Sequence, residues 1–142
     1  RIYALHRAAI AGSGATCEVL VRSGAELAAY DKSRNTPLHA ACEAGSVEAS
    51  WMLLRAGAPV LAVNSLRRTP LHEAAETGNV ELCSLLLQYG ADPTAADMSK
   101  GVPTPAAVAR RHRHFDLVAL LEAASAAVVA APAQPATVDG SA

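Results

Sequence analysis

The chain has 142 residues, enough for one modest domain, and is 51% apolar but only 4% aromatic. That Ala- and Leu-rich balance argues for closely packed helices and against a β-sandwich, which draws on Val, Ile, Tyr and Phe. A net charge of −1 gives no strong field toward nucleic acid, and no apolar run approaches the ~18–20 residues of a membrane span.

In chain order, Leu5-His6 opens the first segment, Gly12 punctuates it and Gly24-Ala25 closes it. Thr36-Pro37-Leu38-His39 then reads as a helix start, with Thr36 as N-cap and Pro37 at the first helical position. The predicted helix runs from about Pro37 to Ala44, and Gly45 ends it in the left-handed conformation. A second helix spans about Val47 to Ala56, with Met52, Leu53 and Leu54 among its buried positions, and Gly57 ends it. Val60 to Arg68 has no helical period and reads as an extended excursion and turn. Thr69-Pro70-Leu71-His72 restarts the cycle, 33 residues after Thr36-Pro37-Leu38-His39; Gly78 and Gly90-Ala91 follow at the same phase. A weaker copy begins at Thr104-Pro105, offset by 35, and continues through Ala109, Phe115, Leu117, Val118, Leu120 and Leu121. Residues 124–142 are Ala/Pro-rich and read as a flexible tail or linker, with their first residues able to extend the last helix.

Helices of two to three turns are marginal in water, so each must bury its apolar stripe on its neighbours. The result is a one-dimensional stack held by interfaces between repeats. The 33-residue period with Thr-Pro-Leu-His-x-Ala, at Thr36–Ala41 and again at Thr69–Ala74, resembles the ankyrin repeat. The resemblance covers residues 3–123, as repeats of about 3–35, 36–68, 69–103 and 104–123. It implies an all-α solenoid of stacked helix–loop–helix layers with short β-hairpin fingers. It also implies a concave groove between fingers and first helices that binds proteins without catalysis. Four departures stand out. Arg34 and Arg67 occupy a turn position where the family usually has Gly, so either these finger turns differ in type or the arginines carry left-handed strain. Gly14 takes the place of a second-helix Leu, Ala106-Ala107 replace Leu-His, and Arg113 replaces a helix-ending Gly. The fourth copy thus resembles a terminal repeat.

No catalytic, cofactor or metal site is legible. His6, His39 and His72 would lie on successive layers about 10 Å apart, too far to share one ion, and fit structural hydrogen bonds instead. No nucleophile elbow surrounds any serine, and the glycines are punctuation rather than a phosphate loop. Cys17, Cys42 and Cys83 are widely spaced, without a Cys-x-x-Cys pair, and read as reduced thiols of an intracellular protein, cytoplasmic or nuclear.

The candidate site is a protein-binding edge. Tyr30, Lys32 and Arg34 form one finger tip, Leu66, Arg67 and Arg68 the next, and Met98 and Lys100 belong to the enlarged third. Glu43 and Glu76, on the first helices, would face the same groove. Apolar side chains rimmed by charge suit a protein or peptide partner, and the basic tips suggest one with acidic or phosphorylated character. No small-molecule substrate, nucleic acid or membrane insertion is expected. Trp51 stands where a polar outward residue is usual, either as an anchor or folded over Met52 and Arg55. Arg110–His114 reads either as a solvated helix end that complements the dipole or as an anion or targeting patch. With Arg1 first and no signal-peptide pattern, the chain reads as part of a longer polypeptide. That parent could be an adaptor such as a ubiquitin-ligase substrate receptor, although no ligase-recruiting box follows Ala123. It could equally be an enzyme or channel with its active domain elsewhere, and the repeats alone could act as a spacer.

Overall fold

The computed structural model describes residues 4–130, with side chains described through residue 127. Its described residues form eight α-helices in four antiparallel pairs. These are α1 (Ala4–Ala11) with α2 (Gly14–Arg22), α3 (Pro37–Ala44) with α4 (Val47–Arg55), α5 (Pro70–Thr77) with α6 (Val80–Gln88), and α7 (Pro105–Arg111) with α8 (Phe115–Ala130). The inner row stacks α1, α3, α5 and α7 in order, and the outer row stacks α2, α4, α6 and α8. Part of the stretch expected as a tail therefore belongs to α8; residues 131–142 lie outside the described residues.

The repeat register builds the core. Ala8, Ala41, Ala74 and Ala109 occupy one inner position and are all buried, so adjacent first helices approach closely. Leu53, Leu86 and Leu121 recur on the outer row, each with no exposed surface, and Leu20 packs partly buried at the same position. Cys17, Cys42 and Cys83 are free and fully buried, which raises all three thiols above their ordinary range. Burial pushes Cys83 up to about 12. These cysteines act as small apolar residues.

The two central inner helices, α3 and α5, start on the same device. Thr36 Oγ1 accepts from the His39 backbone N–H, and His39 Nδ1 accepts in return from the Thr36 N–H at 3.2 Å. Thr69 and His72 repeat this box, with the return bond at 3.0 Å. With Nδ1 accepting, the neutral ring carries its proton on Nε2 and donates it to the next repeat. The bonds run His6 to the Asn35 carbonyl at 2.7 Å, His39 to Arg68 at 2.9 Å and His72 to Pro103 at 2.8 Å. Ala107 holds this place in the fourth repeat, whose cap is Thr104 alone.

The departures resolve individually. Gly14 lies at the first position of α2, in register with Val47 and Val80, where Gly costs little helix stability. It is also where the Glu48 side chain lies: a Cβ there would meet Glu48 Cγ at 2.7 Å. Arg113 does adopt the helix-ending conformation, at φ +65°, matching Gly45 at +74° and Gly78 at +77°. A non-glycine residue costs roughly 1 kcal/mol in that region. Arg113 is exposed and makes no ion pair among the described residues. Arg113→Gly should therefore raise stability by about 0.5–1 kcal/mol, read as a higher urea midpoint. An unchanged or lower midpoint would mean that the Arg113 stem contributes as much packing as the strain removes.

Candidate protein-binding face

The fingers are turns rather than regular hairpins. Among the described residues the only strand-like pairing is an isolated bridge between Asp97 and Val102, so the expected β-hairpins reduce to their tips. Those tips are closed by side chains. Asp31 Oδ1 accepts from the Ser33 and Asn35 N–H groups, both at 2.8 Å, and the Asp31 N–H donates to the Asn35 carbonyl. Burial alone would raise the Asp31 carboxyl; these N–H donors outweigh it and hold the group below its ordinary value. Asn64 does the same in the second finger, accepting from the Leu66 and Arg68 N–H groups at 2.9 and 3.1 Å. Asp97 opens the third, where Met98–Lys100 form a 3-10 turn that absorbs the two extra residues.

Arg34 and Arg67 follow three residues after Asp31 and Asn64 and sit at φ +62° and +64°. The fingers thus retain the left-handed turn that glycine usually serves, and two arginines bear its strain. Neighbouring fingers are tied together: Ser65 N–H donates to the Ser33 carbonyl at 2.9 Å, and Asn64 Nδ2 donates to Asn35 Oδ1 at 2.9 Å.

The expected site residues divide into two groups. Tyr30, Lys32, Arg34, Leu66, Met98 and Lys100 are exposed at the tips, with Leu66 at 68% and Met98 at 73% of full exposure. The Arg34 guanidinium lies 4.4 Å from the centre of the Tyr30 ring, a cation–π stack that holds both side chains in place. Lys32, Arg34 and Lys100 make no ion pair among the described residues. Arg67 and Arg68 are instead committed internally. Arg67 Nε meets Asp97 Oδ2 of the next finger at 3.0 Å, and Arg68 bridges Glu73 at 3.2 Å and Glu76 at 2.8 Å.

Arg68 is mostly buried, and the groove forms around it. The groove encloses about 520 Å³ between Leu66 and the second finger on one side and Glu43, Glu73 and Glu76 of the first helices on the other. Its floor is therefore more acidic than its tips. Burial raises the Glu73 carboxyl above its usual value, with Arg68 pulling the other way. Asn64 and Glu73 belong to this floor, joined at 3.2 Å, although motif reading does not single them out. The signal was present: Asp31, Asn64 and Asp97 recur at 33-residue spacing.

A family model for ankyrin repeats, in three copies, matches residues 5–97. The chain belongs to the ankyrin repeat family. No curated protein matches it. The match covers the first two repeats with their fingers and the third repeat as far as Asp97, and the α7–α8 pair continues the stack beyond it. The resemblance implies that fingers and first helices make the concave face, and in this chain the exposed tips and the α3 and α5 floor occupy that place.

The remaining predicted features fall outside that face or at its edge. Arg110–His114 does end the first helix of the last repeat, where Arg110 pairs with Glu122 of α8. His114 donates to the Glu76 carbonyl at 3.0 Å and packs on Gly78, while His112 Nε2 lies 3.8 Å from the Glu76 carboxylate. Trp51 points outward from α4 with Arg55 stacked on it. Among the described residues there is no cluster of three metal-ligating side chains and no helix long and apolar enough to cross a membrane.

Proposed function

We propose that this ankyrin domain is a non-catalytic recognition module that holds a segment of a partner protein across its finger tips and first helices. The carrying observation is the row of exposed apolar side chains Tyr30, Leu66 and Met98 on three successive tips, flanked by Lys32, Arg34 and Lys100. Exposed apolar surface rimmed by charge is the usual composition of a binding patch. The tip cations favour an acidic or phosphorylated partner, with Arg34 prepared by its stack on Tyr30 to meet a carboxylate or phosphate. Glu43, Glu76 and Arg68 shape the floor, and the Arg67–Asp97 pair fixes the spacing of the second and third tips. The domain would act inside the cell as a scaffold or adaptor element.

The test is capture by the full chain beside a Tyr30→Ala, Arg34→Ala, Leu66→Ala variant of equal helicity by circular dichroism. Arg68 is left intact because two ion pairs make it structural. A partner held by the wild type should be lost by the variant, with affinity falling at least about tenfold and less steeply dependent on salt. A partner retained equally by both proteins would remove the concave face as the site, and no specific partner for either would favour a spacer.

A further inference from the structure

The outer row carries a second groove that shares no lining residue with the concave one. It lies between α4 and α6 and encloses about 630 Å³. The repeat register shows how it arises. Position 51 corresponds to Glu18 one repeat earlier and Ser84 one repeat later. In the first repeat Glu18 pairs with Arg22 at 2.9 Å, one helical turn on. In the second, Trp51 replaces the carboxylate, and Arg55, at the same offset, lies 4.6 Å from the ring centre. In the third, Ser84 is small and leaves the space beside the indole open.

Val47 and Leu85 complete the apolar lining, and Trp51 remains 45% exposed despite the arginine on it. Glu48 and Glu81 both line this groove at equivalent positions of successive repeats, with the Glu48 carboxylate at its α2 edge beside Gly14. Neither makes an ion pair among the described residues. An apolar trough with an aromatic wall and two uncompensated carboxylates matches a long side chain with a cationic head. The alkyl stem lies along Val47, Leu85 and Trp51, and the head reaches Glu48 and Glu81. The Arg55 stack shows that the indole already receives a guanidinium on one side.

The geometry points to a second docking site on the outer face, one that takes a basic amphipathic segment of a partner protein through its Lys or Arg side chains. It is independent of the concave face and of the acidic partner proposed there.

Trp51 is the chain's only tryptophan, so its fluorescence reports on this groove alone. The probe is a synthetic amphipathic peptide of leucine and lysine, titrated into the full chain beside a leucine–glutamate peptide of the same pattern. The expected result is a saturable change in Trp51 emission with the lysine peptide only. Glu48→Gln with Glu81→Gln should weaken binding about tenfold. Ser84→Leu, which fills the groove without changing charge, should weaken it as well. The Tyr30→Ala, Arg34→Ala, Leu66→Ala variant should bind the peptide like the wild type, so either site can fail without the other. Absence of a saturable change, an equal response to the glutamate peptide, or unchanged affinity in both groove variants would overturn the proposal. So would weakening by Glu43→Gln with Glu76→Gln, which would move the peptide to the concave floor.

Discussion

Leu71→Ala is expected to destabilise the domain by about 3 kcal/mol. Leu71 has no exposed surface, and α5 is packed between α3 and α7. Truncation removes the transfer energy of the lost methyl groups and leaves a cavity at the centre of the inner row. The stack has little capacity to collapse around it, because the inner row is closely packed on small buried residues such as Ala41 and Ala74. A loss of that size is a large share of the 5–15 kcal/mol, roughly, that holds a domain folded. It also falls on an interface rather than within one repeat, so the coupling between halves of the stack weakens. Urea unfolding followed by circular dichroism should show a lower midpoint and a broader transition than the wild type. A midpoint equal to that of the wild type would mean that α5 shifts to close the space.

His72→Ala should cost a similar amount, about 3 kcal/mol, by a different route. The ring accepts from the Thr69 N–H and donates to the Pro103 carbonyl at 2.8 Å. Alanine leaves both groups without their partner and opens a cavity of ring size. It cuts the tie to the fourth repeat, so α7 and α8 should exchange amide hydrogens faster than α3 and α4. Uniform loss of protection across all helices would instead mean that the stack unfolds as one unit.

The same geometry sets a pH dependence. Burial holds the imidazoles of His39 and His72 below the ordinary histidine range, with the Arg68 charge adding to it and the backbone carbonyls opposing. The unfolded chain takes up protons at these positions below about pH 6.5 while the folded chain does not. Their stability contribution is therefore complete above pH 6.5 and is lost as pH falls toward the lowered folded values. Glu73 runs the other way: its raised folded value adds stability as pH falls, offsetting part of the loss. The urea midpoint should therefore fall between pH 7 and pH 5.5, and more steeply in a Glu73→Gln background. His39→Gln should flatten the profile; a slope unchanged by that substitution would show that other groups carry the proton uptake.

The repeat itself was legible from Thr-Pro-Leu-His and phased glycines because each acts locally. Thr caps a helix, Pro starts it, and Gly permits the left-handed end, all within one turn of chain. The bounds Pro37–Ala44 emerged from such signals alone. The family resemblance also marked Arg34 and Arg67, and the repeat phase marked Arg113, as residues in glycine positions, and all three have positive φ. What a tip arginine touches was another matter. Arg67 and Arg68 read as free cations in the sequence, yet carboxylates up to 30 residues away neutralise them. Arg34 has no such partner because Asn64, not an acid, occupies the register where Arg67 finds Asp97. The groove beside Trp51 likewise depends on Ser84 being small one repeat away. Backbone geometry is decided by neighbours in the chain, and one sequence read in phase contains it. Charge balance and cavity shape are decided by side chains that only stacking brings together, and here the stacked helices and fingers settled them.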